Sequence, residues 1–396
     1  MKVDKTNFRH WLLLARFGLN IAIAILLRPF VSHRKADCKL IVLYGHKLSG
    51  NLLAIYRHLR IHSDGIHPVF LTMDTVYHDR LDAAGELSCL AVSPACIRLL
   101  AHAEAVISDH GLHALQPMLS LSNLKFFDVW HGIPFKGFDS ADFRVQHHYD
   151  ETWVSSPLMA DLYINRFGFD KRQVVITGYA RTDPLIRLEE APEVIQRRLG
   201  LESTQGQKLV LFAPTWKQDA HNRSLFPFGA DAGDFLGSLV AVCRRHGALL
   251  LFRAHLNASN PALLSDEGVI SLPFADYPDT EAVLQISNVL ICDWSSIAFD
   301  YLLLNRPTLF LDVEPPFRKG FSLGPEYRFG PVVKSLPELL GQLERSLADP
   351  AGYQAEFGSR YAEIRKQVYG NYADGHSGER CVERLRSTLA TGEFSQ

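Results

Sequence analysis

The sequence predicts an α/β protein of two tandem parallel-sheet domains. Three observations carry this. The chain has 396 residues, too many for one ordinary core and suited to two domains. Short apolar runs recur along it, with helix-length segments between many of them, as in βαβ units. Between the two series of runs lies a charged stretch, 187–207, “RLEEAPEVIQRRLGLESTQGQ”, that decays into Ser, Thr, Gln and Gly.

The first element stands apart. Residues 1–35 hold seven Lys or Arg against one acid, Asp4, a net +6 in a chain whose total is −2. Within them “WLLLARFGLNIAIAILL”, 11–27, is interrupted by Arg16 and Asn20. A spanning helix needs about 20 apolar residues, and no small-residue cleavage site follows to suggest a signal peptide. A helix lying in the interface of an anionic cytoplasmic leaflet fits both charge and apolarity; an ordinary buried helix is the alternative.

Strands are then expected at 38–44, 67–72, 103–109, 124–130, 151–156 and 173–179. A second series is expected at 208–215, 248–255, 269–274, 289–294 and 307–313. The expected domains are 36–190 and 208–396, the latter with a terminal helix, joined by a linker at 191–207. Ligands of open α/β sheets bind outside the carboxyl ends of the strands, so the polar residues at those ends are the site candidates.

In the second series, “LVLFAPTWK” ends in Thr215, Trp216 and Lys217, and “LLLFRAH” ends in Arg253 and His255. “VLICDWSS” ends in Asp293, Ser295 and Ser296, directly before an apolar-periodic helix. Two readings of the serines stand side by side: a helix N-cap, or a phosphate site at a helix N-terminus. Three such strand ends together describe a pocket for a diphosphate.

In the first series, “DVWHGIPFKGFD” places His131 after a strand and before Gly132 and Pro134, on a tight loop that also carries Lys136. An imidazole titrating near neutrality suits proton transfer, although a structural role fits the position equally. “TGYARTD” supplies Arg181 and Asp183, as cleft-lining groups or as a surface ion pair.

Absences narrow the field. There is no GxxxxGK[ST], no GxGxxG after a strand, no HExxH and no GxSxG. The six cysteines form no CxxC pair, so a reducing compartment without disulfide framework or structural zinc is expected. No metal and no cofactor is expected, and diphosphate charge falls to Lys, Arg, His and helix dipoles. A net charge of −2 speaks against nucleic acid as a partner.

The blocks “WHGIPFKGFD”, “TGYARTD”, “FAPTWK”, “RAH”, “YPDTEAVLQISNVLICDWSSIAFDYLLLNRPTLF” and “DGHSGERCVERL” occur in this order over residues 38–390. In that order they resemble the CDP-glycerol glycerophosphotransferases, the teichoic-acid primases and polymerases and related capsule enzymes. The resemblance implies a GT-B fold, with two Rossmann-like domains facing a central cleft, peripheral to the cytoplasmic face of the cell membrane. It implies transfer of a polyol phosphate from CDP-glycerol or a similar CDP-polyol to a lipid-linked saccharide or polysaccharide acceptor, with release of CMP. By the same resemblance His131 is the general base, Arg253 and His255 are a diphosphate-binding pair, and Ser295 and Ser296 begin a phosphate-binding helix. Thr215, Lys217 and Asp293 join them on the donor side; Gly132, Lys136, Arg181 and Asp183 line the cleft. The chain departs from the family in having Leu256 after His255 and in the loop 315–331. The alternative is a GT-B glycosyltransferase or epimerase acting on a nucleotide sugar, and a membrane-bound scaffold without activity is a third reading.

Overall fold

The structure, a computed structural model, describes residues 8–31, 38–62, 65–215, 226–253 and 268–391. They form two compact units, each built on one parallel sheet.

The first sheet has seven strands: β1 (Lys39–Tyr44), β2 (Ile66–Thr72), β3 (Ser88–Leu90), β4 (Ala103–Ser108), β5 (Lys125–Asp128), β6 (Glu151–Val154) and β7 (Val174–Ile176), in the order β3-β2-β1-β4-β5-β6-β7. The pairings are parallel, with Val42 opposite Val69 on one side and Val106 on the other. A parallel sheet is covered on both faces, so its strands read as unbroken apolar runs rather than as alternation. Alternate residues of β1 show the two faces. Ile41 and Leu43 pack with Leu52, Tyr56 and Leu59 of the helix Gly50–His62 and with Cys381, Val382 and Leu385 of the terminal helix Ser377–Thr391. Val42 and Tyr44 pack on the opposite face with Cys96, Leu99 and Leu100 of the helix Pro94–His102.

That second face also takes the N-terminal helix, Phe8–Leu27, through Phe17, Ile21 and Ala24. Their spacing puts them on one stripe of a 3.6-residue helix. Two polar side chains on the same stripe lock it in place. Asn20 donates through Nδ2 to the carbonyls of Ala91 and Ser93, both at 2.9 Å. Arg28, buried, donates through Nη1 to the carbonyls of Leu100 and Ala103 at 2.8 Å, and through Nη2 to Asn123 Oδ1 at 2.8 Å. The Arg16 and Asn20 interruptions thus differ in kind: Asn20 faces inward and is satisfied, whereas Arg16 lies on the exposed side. Phe8, Trp11, Leu12, Leu19, Leu26 and Phe30 are exposed on the other faces. Among the described residues, one helical stretch, Phe8–Phe30, is long and apolar enough to cross a membrane.

The second sheet has six strands: β8 (Lys208–Ala213), β9 (Ala248–Phe252), β10 (Val269–Ser271), β11 (Val289–Cys292), β12 (Thr308–Leu311) and β13 (Val332–Val333), in the order β10-β9-β8-β11-β12-β13. Every expected strand is present, and the fold class is borne out: α/β, with two parallel sheets and an apolar N-terminal helix. The unpredicted strands are β3 and β13, three and two residues long.

The chain is shared between the units differently from the expected 36–190 and 208–396. The terminal helix packs on the first unit, not the second. Glu151, 4% exposed, accepts from Arg384 Nη2 at 2.7 Å, from Thr388 Oγ1 at 2.9 Å and from Trp153 Nε1 at 2.8 Å. A buried carboxylate must find such donors, and two of the three residues that supply them, Arg384 and Thr388, lie on the terminal helix. Residues 132–139 belong with the second unit. There Gly137 N–H donates to the Gly320 carbonyl at 2.7 Å and Ser322 N–H to that of Phe135 at 2.8 Å, while the Phe135 ring lies 4.4 Å from Phe299. A Cβ on Gly137 would meet the Lys319 carbonyl oxygen at 2.3 Å, so only glycine fits this close approach. The expected linker 191–207 lies inside the second unit, where Arg198 of the helix Pro192–Arg198 pairs with Asp279.

Candidate active site

In each sheet the strand order reverses once, between β1 and β4 in the first and between β8 and β11 in the second. These switch points are where open α/β sheets bind ligands.

At the first, β1 ends at Tyr44 and is followed by Gly45 and His46; β4 ends at Ser108 and is followed by Asp109 and His110. A Cβ on Gly45 would lie 2.5 Å from Asp109 Oδ1, so the glycine admits a carboxylate that is only 4% exposed. Asp109 holds two imidazoles with two different oxygens. Its Oδ1 takes His110 Nδ1 at 2.7 Å, and its main-chain carbonyl takes His131 Nδ1 at 2.9 Å. A carbonyl can only accept, so Nδ1 of His131 carries the proton and Nε2 keeps its lone pair.

The rings of His110 and His131 stack at 4.3 Å and 9°. Trp130 lies 4.3 Å from His131 on a tilted approach, and His46 meets His110 edge-on at 4.9 Å. The turn that delivers His131 is strained. Trp130 has φ +44°, unfavourable for a side chain with a Cβ. Asn51 pins it, donating to the carbonyls of Val129 at 2.7 Å and Trp130 at 3.1 Å. The same Asn51 accepts the Arg181 amide at 3.1 Å, and Arg181 Nη1 donates to the His131 carbonyl at 2.7 Å. Gly132 follows at φ +144°.

The charges are graded. Burial, with the Asp109 carboxylate, raises the Asp128 carboxyl to about 8 against the pull of His110 and the Trp130 amide. Neither Asp128 oxygen has a protein hydrogen-bond partner, so the amide acts across a gap rather than at bonding geometry. For His110, burial disfavours the cation, but the Asp109 and Asp128 carboxyls outweigh it and raise its pKa. His131 moves the other way. Enclosure, then the charges of His110, Arg181 and His46, hold it well below the ordinary imidazole range, against the bond to Asp109. The His131 residue is exposed to solvent, so its enclosure is partial and the neighbouring charges carry more of the effect. His46 is lowered to about 4 by burial and by His110. The result is an imidazole with one bare nitrogen on which a second proton is disfavoured, beside one on which it is favoured.

The second switch point is built differently. Asp293, 3% exposed, accepts from the Thr215 amide at 2.8 Å, from the Thr215 hydroxyl and from the Trp294 amide at 2.7 Å. It ties the end of β8 to the end of β11. Arg253, 6% exposed, donates to the carbonyls of Leu272 at 3.2 Å and Tyr277 at 2.9 Å and to Thr280 Oγ1 at 2.8 Å. Burial lowers it to about 10, partly offset by Glu281 and Asp279. Its guanidinium therefore shapes the loop after β10. Ser295 and Ser296 are half-buried before the six-residue helix Ile297–Leu302, and Ser296 makes no side-chain capping bond. Arg328 lies 3.5 Å over the Trp294 ring, and Trp294 Nε1 donates to the Val313 carbonyl at 2.7 Å.

Among the sequence-derived candidates, the structure joins Arg181 to His131. Arg181 and Asp183 are both 8% exposed, which excludes a surface ion pair. Thr215 joins Asp293. Gly132 and Lys136 lie in the segment belonging to the second unit, where Lys136 bridges to Phe321. Lys217 and His255 lie outside the described residues. Gly45, Asn51, Asp109, His110 and Asp128 were not anticipated. “YGH” and “SDHG” did carry a usable signal, since each places polar groups directly after an apolar run. Among the described residues no group of three His, Cys, Asp or Glu is placed to hold a metal ion.

Comparison with known proteins fits this architecture. The fold is similar to that of the wall teichoic acid polymerase TagF, with a TM-score of 0.72 over 96% of each chain at 16% identity. The teichoic acid ribitol-phosphate polymerase TarK of Staphylococcus aureus is 27% identical over 278 residues, 66% of this chain and 52% of that protein. A teichoic acid poly(glycerol phosphate) polymerase of Bacillus subtilis is 26% identical over 351 residues, 80% of this chain and 45% of that protein. The chain spans about half the length of these curated relatives. The family described as CDP-Glycerol:Poly(glycerophosphate) glycerophosphotransferase matches residues 26–387, and the chain belongs to that family.

Proposed function

We infer that the protein transfers glycerol phosphate or ribitol phosphate from a CDP-activated donor to a hydroxyl of a lipid-linked saccharide or surface polysaccharide, releasing CMP. The observation that carries this reading is the state of His131: Nδ1–H fixed on the Asp109 carbonyl at 2.9 Å, Nε2 bare, and the residue exposed to solvent. That is the disposition of a general base. The acceptor hydroxyl gives its proton to Nε2 while its oxygen attacks the phosphorus bearing the polyol. The bond from that phosphorus to the bridging oxygen breaks, and CMP leaves with the bonding electrons. Phosphoryl transfer depends chiefly on positioning and on stabilising charge at the phosphate oxygens. Lys217, His255, Ser295 and Ser296 are the groups for that task, with His255 also a candidate for proton delivery to the leaving CMP. Thr215 and Asp293 tie the ends of β8 and β11 together, and Arg253 shapes the loop after β10. Gly132, Lys136 and Asp183 are the remaining groups proposed to face the substrates, and Arg181 sets the His131 backbone. The acceptor's lipid suits a peripheral location on the cytoplasmic face of the membrane, with the exposed apolar side of the helix Phe8–Leu27 resting in the interface.

The test is a donor screen scored by released nucleotide, using CDP-glycerol, CDP-ribitol and UDP-sugars with a membrane acceptor fraction. CMP from a CDP-polyol is expected, with His131→Asn slower by roughly 10²–10⁴-fold, the usual reach of acid–base catalysis. Release of a uridine nucleotide instead would favour a nucleotide-sugar enzyme. Undiminished turnover by His131→Asn would remove His131 as the base.

A further inference from the structure

We propose that His110, anchored by Asp109 and stacked on His131, is a positioning residue that fixes the His131 ring and keeps it uncharged into mildly acidic solution. The proposal rests on the reading of His131 as the base. One residue anchors both rings: the Asp109 carboxylate takes His110 Nδ1 at 2.7 Å, and its main-chain oxygen takes His131 Nδ1 at 2.9 Å. The two imidazoles are thereby held parallel at 4.3 Å.

The titratable groups around the pair come from every neighbouring segment. Asp109 follows β4 and Asp128 ends β5; His46 follows β1, His113 sits in the turn after β4, and Arg181 reaches the His131 carbonyl. Asp109 acts on His110 by contact and by charge and burial is outweighed, so a proton is favoured on His110 over His131. A second proton on His131 would set two imidazoliums face to face, where like charges strongly disfavour ionisation. The consequence is a base that is weak but always ready. Weakness is tolerable here, because a loose phosphoryl-transfer transition state asks little of the group that takes the acceptor's proton.

Two substitutions test this in the full-length protein. His110→Phe keeps a flat ring against His131 and removes the charge. Asp109→Asn keeps the main-chain carbonyl and removes the carboxylate that holds the charge. The readout is kcat/KM for CMP release at pH 5.5 relative to pH 8. For the parent this ratio is expected to stay near one. For His110→Phe it is expected to fall by up to about tenfold, since an imidazole titrating near 6.5 is about nine-tenths protonated at pH 5.5. Asp109→Asn is expected to move the same way, and decides the matter alone should His110→Phe not fold. Ratios unchanged from the parent in both variants would overturn the proposal, as would a parent that already loses activity like an ordinary histidine. Full activity of His131→Asn in the same assay would signal failure of the base assignment itself, which is a different result.

Discussion

The two switch points share a topology and differ in what fills them. In the second unit three described strand-end groups are tied down by protein partners: Thr215 and Trp294 close on Asp293, and Arg253 turns to loop carbonyls. In the first, the strand ends carry three histidines and two carboxyls, and both Asp128 oxygens lack a protein partner. A polar residue at the end of a buried strand therefore has two physical meanings. It either replaces the hydrogen bonds that the sheet no longer supplies, or it leaves chemistry exposed at a prepared place. Composition at the strand end does not separate these; the partner does.

The largest expected effect is on the closed side. Asp293→Ala would strand three donors in a buried setting, and a loss of roughly 3–5 kcal/mol in the stability of the second unit is expected. Denaturant unfolding followed by a probe in that unit measures it; a loss under 1 kcal/mol would mean that Asp293 is not the tie it is taken to be. Next comes a difference at the surface, where the first unit bears the apolar side of the N-terminal helix. Replacing Trp11, Leu19 and Leu26 together by Ser is expected to weaken partitioning onto anionic vesicles by at least about tenfold, given about 1.5–3 kcal/mol for each large apolar side chain buried. Unchanged flotation would place the membrane contact elsewhere.

Gly45→Ala sharpens the comparison on the open side. The added methyl would press on the Asp109 carboxylate and on Leu52 Cδ1, and overpacking of this kind costs about 1–3 kcal/mol. Activity is expected to fall with a visible change in pH profile, because the displaced carboxylate is the one that holds His110. The smallest effect concerns Asp128. Its carboxyl is raised to about 8 in the folded protein, chiefly by burial, above the value near 3.9 of an unfolded chain. Its stabilising contribution is thus complete below about pH 4 and is lost as pH rises through about 8. Asp128→Asn is expected to match the parent near pH 4 and to be more stable at pH 9 by at least about 1 kcal/mol; thermal unfolding across that range decides it.

Much of the fold was legible because a parallel sheet needs apolar strands, and runs such as “KLIVLY” and “KLVLFA” have few other uses. The short β3 and β13 fall below the length at which such a run can be recognised. The home of the terminal helix was hidden for another reason: its anchor, Glu151, lies 233 residues from Arg384. At the site, His131 was legible from the Gly-Pro loop that follows it. Asn51 was not, since its reach of 78 residues to the Val129 carbonyl leaves no local trace. Asp109 and His110 meet the strand-end criterion, but no Gly-Pro turn sets them apart from other strand ends. Arg253 shows the limit of that criterion, as an arginine at a strand end reads the same whether it serves a ligand or a loop.

The most direct measurement of the central claim is the protonation state of one ring. NMR of imidazole-labelled protein, with His131 assigned among the 17 histidines by difference from His131→Asn, reads tautomer and charge together. The account predicts a neutral ring at pH 6, protonated on Nδ1 and bare on Nε2. A ring protonated on Nε2, or an imidazolium at that pH, would contradict it.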